Sequence, residues 1–273
     1  FFGDVAGDGR YSDALPDTLT VTGQEHEANN GSEFDFGVTY TADADTGWNL
    51  VANPFAAAID WDDSGNWTKQ KMSESVYVWD PSINDYRTWN GTVGNLNGGL
   101  IPPFQAFWVK ADTTGARLAV DKEAKTFGGD FRGKRVYPEH PQLVFELSSE
   151  AYTSQLYFSF TQQGRRGKDP GDAYCLLPPP GTASYLQLYS IGKAGNRFSI
   201  NHLPREFSTT FEIPIHIRHR EAVQSRSGRM ELKWPEMKQI PGSWRLTLTD
   251  RVTGREVDLA EAASYSFTQS PDG

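Results

Sequence analysis

Cysteine is all but absent from this chain: of 273 residues, Cys175 is the only one. A single thiol excludes an internal disulfide framework and cannot by itself build a thiolate zinc site. Flanked by apolar residues in "AYCLLPPP", it reads as a buried and inert side chain. Long hydrophobic runs are missing too. No stretch of about 18 apolar residues occurs, so no transmembrane helix is expected. Positive charge is scarce, with 26 Lys and Arg against 35 Asp and Glu for a net charge of −9. The deficit is uneven: residues 1–125 carry 19 acidic and 8 basic groups, residues 126–273 carry 16 and 18. Nucleic acids and anionic membranes both require a basic footprint, so neither is an expected partner. Neutral polymers, cations and other proteins remain. Missing as well are a G-x-S-x-G elbow, a G-x-x-x-x-G-K-[ST] phosphate loop and a dinucleotide fingerprint.

Aromatics, glycine and proline are plentiful: 8 Trp, 11 Tyr, 16 Phe, 26 Gly and 16 Pro. That balance favours strands and tight turns over helices. Short alternating runs recur between turn signals: "DTLTVTG", "WNLVANP", "SVYVWD" and "PFQAFWVKA" in the first half, then "LVFELSS", "SQLYFSFTQQG", "SYLQLYSIG", "FSINHLP", "TFEIPIHIRH" and "MELKWPEM". Alternation of this kind marks half-buried strands of antiparallel sheets. Pro81, Asn84 and Asp85 in "DPSINDY" predict a hairpin turn between two aromatic strands. The one helical candidate, "LAEAAS", is short. The expected class is all-β: two tandem antiparallel β-sandwich modules, of jelly-roll or immunoglobulin-like kind. Their expected bounds are residues 1–125 and 141–273, joined by a charged, glycine-bearing linker over 126–140.

The stretch "GWNLVANPFAAAIDWDD", Gly47 to Asp63, holds no nucleophile, base or phosphate loop. Gly47 permits a turn, Trp48 and Leu50 alternate toward one face, and Asn53-Pro54 stops the strand, so it reads as a folding signature. Gly98, Gly99, Pro102 and Pro103 serve the following strand in the same way.

Chemistry-bearing residues stand near these turns. Asp60, Asp62, Asp63 and Asn66 offer oxygen ligands around a flexible glycine, the donor set calcium takes. Asp4, Asp8 and Gly9 echo the start of a calcium loop, with Ala6 in place of the second ligand. Asp60, Asp62, Asp63, Asp80 and Asp85 are the carboxylates from which a glycosidase pair would come. Trp61, Trp67, Trp79, Tyr86 and Trp89 flank polar loops. Exposed rings there would stack on sugars, and buried ones would fill a core. His216 and His219 lie three apart in a strand and so face opposite sides, which argues against zinc. Arg165, Arg166 and Lys168 read as an exposed basic loop.

The phrases "GWNLVANPFAAAIDW", "VYVWDPSINDYRTW", "GGLIPPFQAFWVKA", "RLAVDKEAKTF" and "WRLTLTDRVTGREVDLAEAASYSFT", in this order, resemble the C-terminal regions of large secreted and surface proteins of Bacteroidota-type bacteria. Such modules commonly precede a type IX secretion sorting domain. The resemblance spans roughly residues 15–270, with Ala52 where the family usually has glycine in "WNLVGNP". It implies an extracellular or cell-surface location and a non-enzymatic structural or adhesive role. The expected partners are other surface proteins, or a second copy joined by strand addition at a sheet edge left open by a missing last strand. A carbohydrate-binding module using Trp61, Trp67, Tyr86 and Trp89, with calcium as the one conceivable cofactor, is the alternative. A glycoside-active fragment comes third. The start at Phe1 and the stop at Gly273 lead us to expect a piece of a longer product, cut before its last strand.

Overall fold

A computed structural model of the chain describes residues 22–23, 32–41, 47–126, 140–207, 210–220 and 228–268. All but the last two residues of the expected strand "DTLTVTG", the Asp4, Asp8 and Gly9 motif and nearly all of the 126–140 linker lie outside the described residues. Within them the protein is all-β, with two short 3-10 turns and no α-helix; "LAEAAS" forms turns.

The first half contributes β1 (Glu33–Asp35), β2 (Trp48–Ala52), β3 (Ala58–Asp60), β4 (Trp67–Gln70) and β5 (Val76–Asp80). It continues with β6 (Asp85–Trp89), β7 (Leu100–Ile101), β8 (Ala106–Lys110), β9 (Arg117–Asp121) and β10 (Lys125–Thr126). They form a four-stranded sheet, β2-β8-β5-β6, and two three-stranded sheets, β1-β9-β4 and β10-β3-β7. Alternation decides what lies between them. Val76 and Val78 of β5 and Phe107 and Val109 of β8 point inward, against Ile59, Trp67, Ile101, Leu118 and Val120 of the smaller sheets. The result is sandwich-like, with one buried cluster between layers.

Local chemistry sets the joints. In the β5–β6 hairpin, Asp80 Oδ1 accepts the Ser82 backbone N–H at 2.9 Å and Asn84 takes a positive φ of 51°, as the turn residues predict. Gly47 has φ +85°, and a Cβ there would strike the Ala111 carbonyl that β2 approaches. Asn53, 1% exposed, ends β2 by donating from Nδ2 to the carbonyls of Ala57, Ile101 and Pro102 while Oδ1 accepts the Phe55 N–H. The "ANPF" phrase therefore ties β2 to β7, and its one polar side chain is fully spent in doing so.

The second half contributes β11 (Gln142–Ser148), β12 (Thr153–Thr161), β13 (Ala173–Tyr174), β14 (Tyr185–Ile191) and β15 (Arg197–Pro204). After these come β16 (Ile215–Arg220), β17 (Arg229–Lys238), β18 (Thr247–Thr249), β19 (Glu256–Asp258) and β20 (Ser264–Thr268). One eight-stranded sheet runs β16-β14-β15-β12-β11-β17-β20, with β13 also on β15. It departs from pure antiparallel order once: β12 and β15 run parallel, the long return between them being supplied by residues 162–196. Pro235 lies inside β17, two residues past Lys233 where the pairing with β20 ends, so only β11 flanks the strand there. A register shift opposite Val144 and Glu146 makes this a bulge, so no ladder donor is missed. The hairpin β18–β19 packs Leu248 and Val257 on one face of the large sheet, over Leu147, Leu156, Phe158 and Trp234.

No ladder joins the two halves among the described residues, yet they share a third apolar cluster. Tyr77 and Val93 from the first meet Val144, Tyr157, Ala173 and Ile200 from the second, with Trp48, Tyr86 and Trp108 packed around them. The period of two explains how. In β5, Tyr77 faces opposite to Val76 and Val78; in β12, Tyr157 faces opposite to Leu156 and Phe158. Around this cluster both large sheets are thus buried on both faces, and the surface where they meet is a seam.

Candidate functional site at the seam

Three of the four aromatic rings expected to bind glycans are core residues: Trp61, Trp67 and Trp89 are 1%, 8% and 6% exposed. Each indole N–H reaches the polar turn beside it while its ring goes inward. Trp61 donates to the Glu74 carbonyl, Trp67 to the Asp60 carbonyl, and Trp89 to both Asp62 carboxylate oxygens at 2.9 Å. Their faces are occupied. Trp61 and Trp67 meet edge to face at 4.8 Å, Phe36 stacks on Trp67, and the Lys69 ammonium lies 3.7 Å from the Trp61 centroid. This corrects the stacking assignment for those three rings. Trp79 and Tyr86 are half-buried and meet each other at 5.1 Å.

The aspartates next to these rings serve the turn. Asp60 Oδ1 accepts the Asp62 N–H at 2.9 Å, Asp62 receives Trp89, and Asp63 Oδ2 accepts from Asn66 Nδ2 at 2.7 Å. Each carboxylate thus has its own local partner, where calcium would need them to converge. Among the described residues, no three His, Cys, Asp or Glu side chains gather as a metal site. Asp80 and Asp85 are cross-strand partners, but Arg87 and Ser82 hold the first while Gln187 of the other half donates to the second at 2.9 Å. Burial lifts the Asp85 carboxyl to about 6, against the hydrogen bond from Gln187. His216 stacks on Tyr189.

The basic loop "GRRGKDPGDAY" has more specific work than its composition suggested. Lys168 pairs with Asp112 of the first half at 3.1 Å, and Arg166 lies over Phe211 at 4.1 Å. Its two aspartates fold inward. Asp169, 6% exposed, accepts the Arg165 and Gly171 N–H groups and, at 2.8 Å, His202 Nδ1. Asp172, 1% exposed, accepts the His202 and Asp169 N–H groups, each at 2.8 Å. A side chain on Gly171 would run into the His202 ring, so the close approach requires glycine. Held in this way, the loop presents two carbonyls to the first half: Gly171 accepts from Asn90 Nδ2 at 2.6 Å and Asp172 from Ser75 Oγ at 3.1 Å. Nearby, the Tyr174 N–H donates to the Tyr77 hydroxyl at 2.9 Å.

Thr161 Oγ1 lies 2.6 Å from His202 Nε2, so hydroxyl, imidazole and carboxylate stand in the order of a nucleophile, a base and its orienting acid. The hydroxyl oxygen is otherwise spent. It accepts the Gln163 N–H at 3.2 Å and the Gly164 N–H at 3.1 Å, which makes it the anchor of a turn. With Asp169 fixing Nδ1 as the donor, a neutral His202 accepts the Thr161 proton at Nε2. The cluster therefore pins the loop to β15 at one end and the loop pins the halves together at the other. Burial raises the Asp172 carboxyl to about 7, opposed by its two N–H donors. Burial alone would lower His202; the hydrogen bond and charge of Asp169, with Asp172, outweigh it and hold the imidazole above its ordinary value.

Beside this latch the seam encloses a cavity of about 190 Å³, walled by Tyr86 and Arg87 from one half and Tyr157, Tyr174 and Ser199 from the other. Cys175 also lines it, and burial pushes its thiol well up, away from reactivity. No helix among the described residues is long and apolar enough to cross a membrane. No protein-family model matches the chain, and no curated protein or solved structure matches it significantly.

The latch was not legible in advance. The signal that could have raised it is Asp-Pro-Gly-Asp, two carboxylates around a turn dipeptide, but the histidine they hold lies some thirty residues further on.

Proposed function

We propose that this chain is a rigid, non-enzymatic structural or adhesive module of a secreted or cell-surface bacterial protein, exported by a type IX route. In this reading its halves are two β-sandwich modules fused face to face. They space an upstream functional region from the envelope or pack into an assembly with surface proteins. The observation that carries it is the seam: aromatic rings and buried hydrogen bonds lock two sheets that could each have been left to solvent. A jointed linker protein has no use for such an interface. The resemblance of the five phrases to modules that precede sorting domains supports the location. In the assembly form, β16 and β20 are the outer strands of the large sheet and the places where a second copy would add by strand pairing. A monodisperse monomer over a wide concentration range removes that form and leaves the spacer.

The carbohydrate-binding alternative is separated from this reading by Trp67→Ala and Trp89→Ala. Because both rings are core residues, each variant is expected to lose about 3–5 kcal/mol in urea unfolding. On the structural reading the native chain is expected to show no retardation on immobilised polysaccharides, with calcium or with chelator. A variant that kept its stability while abolishing retention of the native chain would replace the structural reading with a binding module.

A further inference from the structure

We infer that the seam cavity is a binding site for a single neutral sugar residue, gripped between the two halves. The inference goes beyond the structural role and stands or falls independently of it. The site is concave, roofed by the β5–β6 hairpin and floored by the large sheet, and cavities where two units meet are favoured ligand positions.

Its lining has the mixed character that sugars require. Half-buried Tyr86 offers ring surface for a C–H face beside buried Tyr157 and packed Tyr174, while Asn95 Nδ2, the second hydrogen of Gln155 Nε2 and the lone pairs of Ser199 Oγ face ring hydroxyls, Asn95 Oδ1 holding the Thr88 N–H and Ser199 Oγ donating to the Ala173 and Tyr174 carbonyls. Gln155 is already oriented: its Oε1 accepts from the Tyr157 hydroxyl and its Nε2 donates to Glu146 at 3.0 Å. The two charged residues at the cavity are both engaged. Arg87 Nε is bound to Asp80 at 2.6 Å and Asp85 Oδ1 accepts from Gln187, so no bare charge selects an anion or a cation. Size sets the limit on length. A volume of about 190 Å³ equals roughly six waters at ~30 Å³ each, which accommodates one pyranose ring and excludes an internal stretch of polymer.

Because the ligand would touch both halves, its binding should stabilise the joined form by mass action. The test is calorimetric titration and thermal unfolding of the full chain with glucose, galactose, mannose, xylose and N-acetylglucosamine. At least one is expected to bind with a dissociation constant of about 1 mM or tighter and to raise the midpoint by several degrees. Thr153 is exposed at the cavity rim, so Thr153→Trp should plug the mouth and weaken binding by at least about tenfold while the unliganded midpoint holds. Gln155→Leu, of similar volume, should weaken binding without plugging and serves if the first variant is unstable. No heat and no midpoint shift from any of the five sugars at about a hundredfold above that constant would overturn the proposal. So would binding that both variants leave unchanged.

Discussion

Asp169→Ala is expected to cost about 3–5 kcal/mol of unfolding free energy, because three donors lose one buried acceptor and an unanswered buried donor costs about 1–3 kcal/mol. The carboxylate accepts three donors, the Arg165 and Gly171 N–H groups and His202 Nδ1, and alanine answers none of them. Because Asp169 holds the 162–172 loop in shape, the loss extends to the seam. Asn90 and Ser75 of the first half would no longer find the Gly171 and Asp172 carbonyls in place. Urea unfolding should therefore report a lower midpoint, and limited trypsin digestion should cut at Arg165, Arg166 or Lys168 while the native chain resists there. Asp169→Asn, which keeps acceptor capacity, should fall between the two. A native-like midpoint in Asp169→Ala would mean that the cluster holds nothing.

Stability is expected to fall as pH rises from about 5 to 7.5, opposite to what paired surface carboxylates produce. The sign follows from the seam groups. Asp85 and Asp172 have carboxyls lifted by burial to about 6 and about 7 from an ordinary 3.8, so between those limits the folded chain binds protons that the unfolded chain has lost. Each therefore favours folding at the acidic end of its window and loses that advantage as pH climbs through its folded value. His202, held above its ordinary 6.5, acts in the same direction: its contribution is complete below 6.5 and is lost as pH rises through the folded value. Asp169, Asp172 and Glu74 are the charges that face His202, and Arg218 faces Asp85. Two other shifted groups fall outside the window. Asp250, hydrogen-bonded by Tyr265 and Thr253 and lowered to about 2, contributes stability that is lost only in stronger acid. Lys69, lowered by burial to about 8, matters at alkaline pH. The thermal midpoint of the native chain should drop by several degrees across pH 5 to 7.5, and Asp85→Asn should flatten the acidic part of that slope. A midpoint that rises over the same range contradicts the burial of these acids.

Local features of the fold could be read in advance where one residue type forces one geometry. Pro81, Asn84 and Asp85 announced the β5–β6 turn, and Asn53-Pro54 announced the end of β2, because turn chemistry acts over two or three residues. Trp61, Trp67 and Trp89 misled because polar turn residues flank them: Trp61 sits in the turn just after β3, and the strands that carry Trp67 and Trp89 inward are only four and five residues long. The Asp60 backbone carbonyl and the Asp62 carboxylate accept two of those same indoles, a pairing that no local spacing records. The start of β16 at Ile215 follows Pro214, later than the alternating pattern of "TFEIPIHIRH" suggested. The seam was illegible for a different reason. Its hydrogen bonds join residues 56 to 102 positions apart, and no periodicity within either half records which outer faces will meet.

The central claim, that the halves form one rigid body, is tested most directly by pulsed dipolar spectroscopy between spin labels at Ser64→Cys and Val252→Cys in a Cys175→Ser background. Both positions are exposed and lie in different halves. A locked seam predicts one narrow distance distribution, broadening when Asp169→Ala is added. A broad distribution in the otherwise native chain would mean that the halves move independently, and the rigid-spacer account would be wrong.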